Sequence, residues 1–182
     1  MSGSGVDEPG MDEPGMDEPG MDEPEGTGAA VTGAELAAIE RACHRLVVAY
    51  ARATDLGDAA AAGALFTEDG VLEMPGGRRF VGRAAIAGRI AAQPPRQVSR
   101  HLLSNIAVAA CSTDHASGSL LVTMYRGSGA DDGRAVRLDG PYLVGEYSDD
   151  YRRTPDGWRI AHRRLTTVFR RPDEQAQGRG QS

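Results

Sequence analysis

The sequence predicts an α+β fold, with three N-terminal helices packed on a curved, mostly antiparallel sheet to form a cone-shaped barrel with one deep pocket. Three observations carry this expectation. Apolar residues from Leu36 to Tyr50 recur at steps of three and four, the period of an amphipathic helix. From about His101 onward the period falls to two, as in half-buried strands. The later runs are separated by short turn-rich segments, which join antiparallel neighbours. Helices followed by a meander place the helices over one face of the sheet.

The first helix opens at Thr32-Gly-Ala-Glu35, a capping box in which Thr32 caps and Glu35 reaches back. Its buried stripe is Leu36, Ile39, Cys43, Leu46, Val47 and Tyr50, and it ends near Leu56-Gly57. His44 lies off that stripe and faces solvent. Asp58 is read as the N-cap of a second, short helix over Ala59 to Phe66. Thr67-Glu-Asp-Gly70 has turn chemistry, with Glu68 and Asp69 solvated. Val71 to Met74 and Arg79 to Val81 flank Gly76-Gly77 as a small hairpin. A third helix runs from Ala84 to about Ala92 and is stopped by Pro94-Pro95. Four strands follow, at His101 to Ala110, Ala116 to Arg126, Arg134 to Tyr151 and Trp158 to Phe169. His115 falls in a turn, and Trp158 packs the start of the last strand.

The 182 residues divide unevenly. Residues 6 to 24 repeat a unit of the form Met-Asp-Glu-Pro-Gly, whose Pro and Gly break helices and whose acids repel one another. Residues 1–30 are therefore expected to be a disordered acidic tail, 31–170 the folded domain and 171–182 a second polar tail. The nine acids between Val6 and Glu25, taken from the total of 26, leave 17 against 20 bases. The net charge of -6 thus belongs to the tail, and the domain is about +3. That is too little to imply nucleic acid. No apolar run reaches the roughly 18–20 residues of a membrane span. The acidic start lacks the basic and apolar regions of a secretory signal. Two cysteines, Cys43 and Cys111, make no disulfide framework, and no Cys/His cluster has zinc-ligand spacing. The glycine-rich stretches lack a phosphate-loop helix. A cytoplasmic protein with no metal or cofactor is the expectation.

Several segments together resemble the SnoaL-like group of the nuclear-transport-factor-like superfamily. They are Tyr50-Ala-Arg-Ala-Thr-Asp55-Leu-Gly-Asp58, Leu65-Phe66-Thr-Glu-Asp-Gly70, Gly82-Arg83 with Ile86, Arg100-His101-Leu-Leu-Ser-Asn105, and Asp156-Gly-Trp-Arg-Ile-Ala-His-Arg163. The resemblance spans about residues 34 to 169. It implies the same cone-shaped fold. It also implies one of several activities, because members include polyketide cyclases, scytalone dehydratase, ketosteroid isomerase and a dehydrochlorinase. Others are non-catalytic small subunits of ring-hydroxylating dioxygenases or plain binding proteins, so the fold does not choose the function. The dehydratase and dehydrochlorinase branch is most similar. There an aspartate at the end of the first helix pairs with a histidine at the start of a central strand, which implies Asp55 and His101 here. An arginine five residues after the strand's tryptophan corresponds to Arg163. Tyr50 stands where the dehydrochlorinase has a lysine.

Such a pair suits removal of a C–H proton beside an electron sink. Neutral imidazole is a good base near neutral pH. A carboxylate on one ring nitrogen fixes the tautomer and leaves the other nitrogen to accept the proton. Asp55 would orient and His101 abstract, with Arg163 or Tyr50 stabilising developing charge. From local sequence alone, Asp55 is a helix-end residue and His101 a strand residue; the resemblance gives them a role. Asn105 shares the face of His101 and Leu103, and either touches ligand or satisfies backbone. His162 and Arg163 point to opposite sides, and Arg163 is taken as the inward one. The facing of Tyr125, Tyr142 and Tyr147 stays open. The expected partner is a small hydrophobic molecule, with no nucleic acid or membrane. The expected function is a dehydratase-like lyase or isomerase, with a binding or dioxygenase-subunit role, or a polyketide cyclase, as alternatives. Apolar residues on the outer sheet face suggest a homodimer or homotrimer.

Overall fold

The structure is a computed structural model that describes residues 32–129 and 134–172. The acidic repeat and the end of the chain past Pro172 lie outside the described residues. Helix α1 (Gly33–Leu56) starts in the expected capping box: the Glu35 amide donates to Thr32 Oγ1 at 3.3 Å, and the Thr32 amide donates to Glu35 Oε2 at 2.8 Å. It stops at Gly57, whose φ of 71° is left-handed and costs an L side chain more than glycine. Asp58 then caps α2 (Ala59–Ala64) by accepting from the Ala61 amide at 3.0 Å.

Two expectations need correction at this point. Helix α2 stops at Ala64, and Phe66 begins strand β1 (Phe66–Met74), so Thr67 to Gly70 lies inside a strand rather than in a turn. The turn chemistry has a real cause. Strand β1 runs parallel to β6 (Gly157–Arg170), with Phe66 beside Ile160 and Val71 beside His162. Five steps on one strand match two on the other, and the surplus is thrown out as a bulge. Gly70 closes it, because a Cβ there would lie 2.9 Å from Phe66 Cβ and 3.0 Å from the Thr67 carbonyl oxygen.

Strand β2 (Arg78–Val81) completes the expected hairpin with β1, and α3 (Arg83–Ala91) follows. The long strands are β3 (Gln97–Ala110), β4 (His115–Ser128), β5 (Leu143–Thr154) and β6. Two boundaries differ from expectation. His115 opens β4 instead of sitting in a turn, and β5 starts only at Leu143. Gly140, with φ 134°, and Pro141, which has no amide hydrogen, keep the preceding segment out of the ladder.

The sheet order is β2-β1-β6-β5-β4-β3, antiparallel except for the β1–β6 pair. It stays open, with β2 and β3 as edges. Helix α1 closes it by packing on β3 and β6, while α2 and α3 pack on each other and α3 reaches β1. Ile39, Cys43, Leu46, Val47 and Tyr50 of α1 share one core with Leu120, Val122, Tyr147, Tyr151, Ile160 and Leu165 of the sheet. On the outer face, Leu102, Thr123, Val144 and Phe169 stand side by side across four strands, with Leu102 and Phe169 well exposed. No described helix is long and apolar enough to cross a membrane.

The two cysteines differ sharply. Cys43 is fully buried, and burial, with the nearby Asp149 charge, pushes its thiol up to about 12. Cys111 is exposed. Because the thiolate is the reactive form, Ellman's reagent at about pH 8 is expected to titrate one thiol at once. The second should appear only on unfolding; two fast thiols in the native protein would contradict the buried position of Cys43.

Candidate active site

Asp55 stands in the last turn of α1, and His101 on the inner face of β3. The structure brings them together twice. His101 Nδ1 lies 2.5 Å from Asp55 Oδ1, and the His101 backbone amide donates to Asp55 Oδ2 at 2.9 Å. One carboxylate therefore holds both the ring and the strand that carries it. The side chains are 6% and 12% exposed. The second ring nitrogen, Nε2, has no partner among the described residues.

His101 lines an inner cavity together with Tyr50, Leu72, Met74, Arg89, Ile90, Gln93, Ser99, Met124, Arg126, Tyr147 and Leu165. The cavity is narrow, with a free volume of about 50 Å³, room for about one or two waters. Its two methionines are flexible side chains that can give way to a ligand. Burial pushes the Tyr50 hydroxyl above its ordinary range, against the pull of Arg163, and burial likewise raises Tyr147. Both phenols therefore stay protonated and can donate. Wider grooves exist at the surface. The one between α1 and the far end of β3, lined by Glu40, Arg41, His44 and Arg45, is open and lacks the dyad.

Arg163 faces inward and His162 outward, and a bulge decides which. Asp150 pairs with His162 and Tyr151 with Ile160, leaving Ala161 surplus on β6. Ile160 and Arg163, three residues apart, both point inward as a result. Arg163 nonetheless sits behind the cavity wall. Its Nε donates to Asp149 Oδ1 at 2.7 Å, and its second contact runs from Nη2 to Oδ2 at 2.5 Å. The guanidinium lies 4.5 Å from the Tyr50 ring centre and 4.4 Å from that of Tyr147. Tyr151 donates to the same carboxylate at 2.8 Å. Burial opposes the Arg163 charge, but the Asp149 carboxylate outweighs it and the group is held above its ordinary range. Arg163 thus braces two tyrosines that line the cavity, and does not itself line it.

Asn105 is not brought to the cavity. It is exposed, with a left-handed φ of 52°, at a register shift where Ser104 pairs with Leu121 and Ala107 with Ser119. This one-residue bulge uses asparagine, which tolerates that conformation better than most residues. It also reverses the alternation of β3, so Ile106 and Val108 turn inward after it. Of the tyrosines left open, Tyr147 is buried on the cavity wall, Tyr142 stacks under Arg126 and Arg170, and Tyr125 is half-buried. Trp158 packs partly against the core. Sequence reasoning missed Asp149, Arg89 and Arg126. Asp149 was legible in principle, since Leu143, Tyr147 and Tyr151 share its parity on β5.

The sequence pattern of the SnoaL-like domain family matches residues 35–164. No curated protein matches the chain significantly. Solved structures do. A protein from Novosphingobium aromaticivorans DSM that carries the provisional name aromatic ring hydroxylase is 30% identical, with a TM-score of 0.59 over 71% of this chain and 89% of its own. A second from N. aromaticivorans DSM 12444, provisionally named scytalone dehydratase, is 24% identical, with a TM-score of 0.62 over 73% of this chain and 86% of its own. A hexachlorocyclohexane dehydrochlorinase is 14% identical, with a TM-score of 0.65 over 78% of this chain and 93% of its own. The last two likenesses carry the fold.

Proposed function

Because the chain belongs to the SnoaL-like domain family, we propose that it is a cofactor-independent lyase or isomerase acting through Asp55 and His101 on a compact hydroxy or carbonyl compound. The observation that carries this reading is the short Asp55–His101 contact beside a cavity, with Nε2 left without a partner. Nε2 takes a proton from the carbon next to a carbonyl, and the C–H electron pair becomes an enolate. As the double bond to the next carbon forms, its C–O bond breaks. The departing oxygen takes the proton back from the imidazolium and leaves as water. Asp55 keeps the ring oriented and stabilises the transient cation. Tyr50 or Tyr147 donates to the enolate oxygen. The names of two solved relatives, a dehydratase and a dehydrochlorinase, are in keeping with this reading.

Histidine ring ¹H–¹⁵N spectra test the arrangement without a substrate. At about pH 8.5, where free imidazole is neutral, His101 is expected as the Nδ1–H tautomer. The exposed His44 and His115 should show the ordinary mixture. Replacing Asp55 with Ala should release His101 to that mixture as well. A His101 already resembling His44 in the unaltered protein would sink the dyad.

A second reading has one observation of its own, the ring-hydroxylase name of the 30% identical relative. In that reading the domain is a non-catalytic subunit beside an oxygenase, and a large subunit would co-purify with it.

A further inference from the structure

The cavity wall carries charge of one sign only. Arg89, from the last turn of α3, and Arg126, from β4, both line it, and no Asp or Glu does. The two nearby carboxylates are already engaged, Asp55 by His101 and Asp149 by Arg163. Arg89 has no hydrogen-bond or ion-pair partner among the described residues. Its charge reaches inside far enough to act on the Tyr50 hydroxyl. Four residues further on, Gln93 accepts at 2.9 Å from the Gln97 amide, which occupies its carbonyl oxygen and leaves its NH2 group as a donor. Ser99, buried and two residues before His101 on the same strand face, is paired across the sheet with Arg126. Thr54, Tyr50 and Tyr147 add hydroxyl groups, and Leu72, Met74, Ile90, Met124 and Leu165 make up the apolar part of the wall.

A half-buried arginine without a counter-ion, lining the same small cavity as a spare amide donor, is a seat for an ionised oxygen. We infer that the ligand of this cavity is a compact carboxylate, its anionic oxygens on Arg89 and Gln93 and its short carbon skeleton along the apolar wall towards His101. This deepens the proposed function by naming the substrate class, and it rests on that reading only for which carbon meets His101. Arg126 adds a second positive charge to the same wall. The free volume suits a skeleton of a few carbons rather than a fused-ring system.

The probe is crotonate, a small unsaturated acid of the kind a dehydration releases, against its neutral amide, crotonamide. The readout is the methyl spectrum of protein labelled with ¹³C-methyl methionine. Met74 and Met124 line the cavity. Crotonate is expected to shift Met74 and Met124 saturably, and crotonamide to bind at least tenfold more weakly. Arg89→Gln should weaken crotonate at least tenfold, and Arg89→Lys should retain part of it, with the unliganded spectrum reporting that each variant is folded. His101→Gln should still bind crotonate, so loss of the base and loss of the anion seat are read separately. Equal binding of acid and amide, indifference to Arg89→Gln, or the absence of saturable shifts at Met74 and Met124 would each overturn the inference.

Discussion

Replacing His101 with Gln is expected to lower turnover roughly 10²–10⁴-fold, the usual contribution of a positioned general base. Glutamine keeps the size and a polar end, and the backbone amide of residue 101 can still donate to Asp55 Oδ2. The fold should therefore survive, and the loss should fall on kcat more than on KM. Asp55→Asn should cost less than removing the base but act on the same step, so the double variant should be little worse than His101→Gln alone. The measurement is the ultraviolet absorbance of the conjugated product, on whichever compact β-hydroxy acid or ketone the unaltered protein dehydrates. Full activity in His101→Gln would leave the proposed chemistry without its base.

The second large effect is on stability. Replacing Asp149 with Ala is expected to destabilise the domain by about 3–5 kcal/mol, because it leaves the Arg163 charge buried with no counter-ion. Arg163 is 1% exposed and Asp149 3%, so water cannot take the carboxylate's place without opening the core. That is a large share of the roughly 5–15 kcal/mol that keeps a domain folded. Removing both charges with apolar residues of similar size, as Asp149→Leu with Arg163→Met, should recover much of the loss. Urea unfolding of the three variants decides. A double variant as unstable as the single one would mean that the pair is not the source of the cost. Lost Tyr50 and Tyr147 stacking would then be the better explanation.

The sequence made the first half of the fold legible because its signals are local. The Thr32–Glu35 box, the Asp58 cap and Gly57 each act within a turn of chain, and they appear where expected. The strands were legible as strands, but their exact faces were not. The surplus residues in β1, β3 and β6 are settled by partners far away in sequence, and local periodicity does not carry them. Asn105 was assigned to the face of His101 by simple alternation, and the bulge in β3 takes it to the surface. Asp55 and His101 were proposed as a pair through family resemblance, since 46 residues separate them and local sequence reads each as ordinary. Arg89 carried no motif. Its interest comes from the absence of acid on a wall that α1, α3, β1, β3, β4, β5 and β6 build together.

The surplus residue at Ala161 makes the chain's spacing part of its chemistry. Inserting a single further codon beside it, with the bulge absorbing only one surplus residue, would turn His162 to the inside and Arg163 to the water. Asp149 would then face a smaller base of different geometry, although every amino acid named in the site would still be encoded. For this architecture, a gain of one residue within a strand is a larger inherited change than most exchanges of one side chain for another.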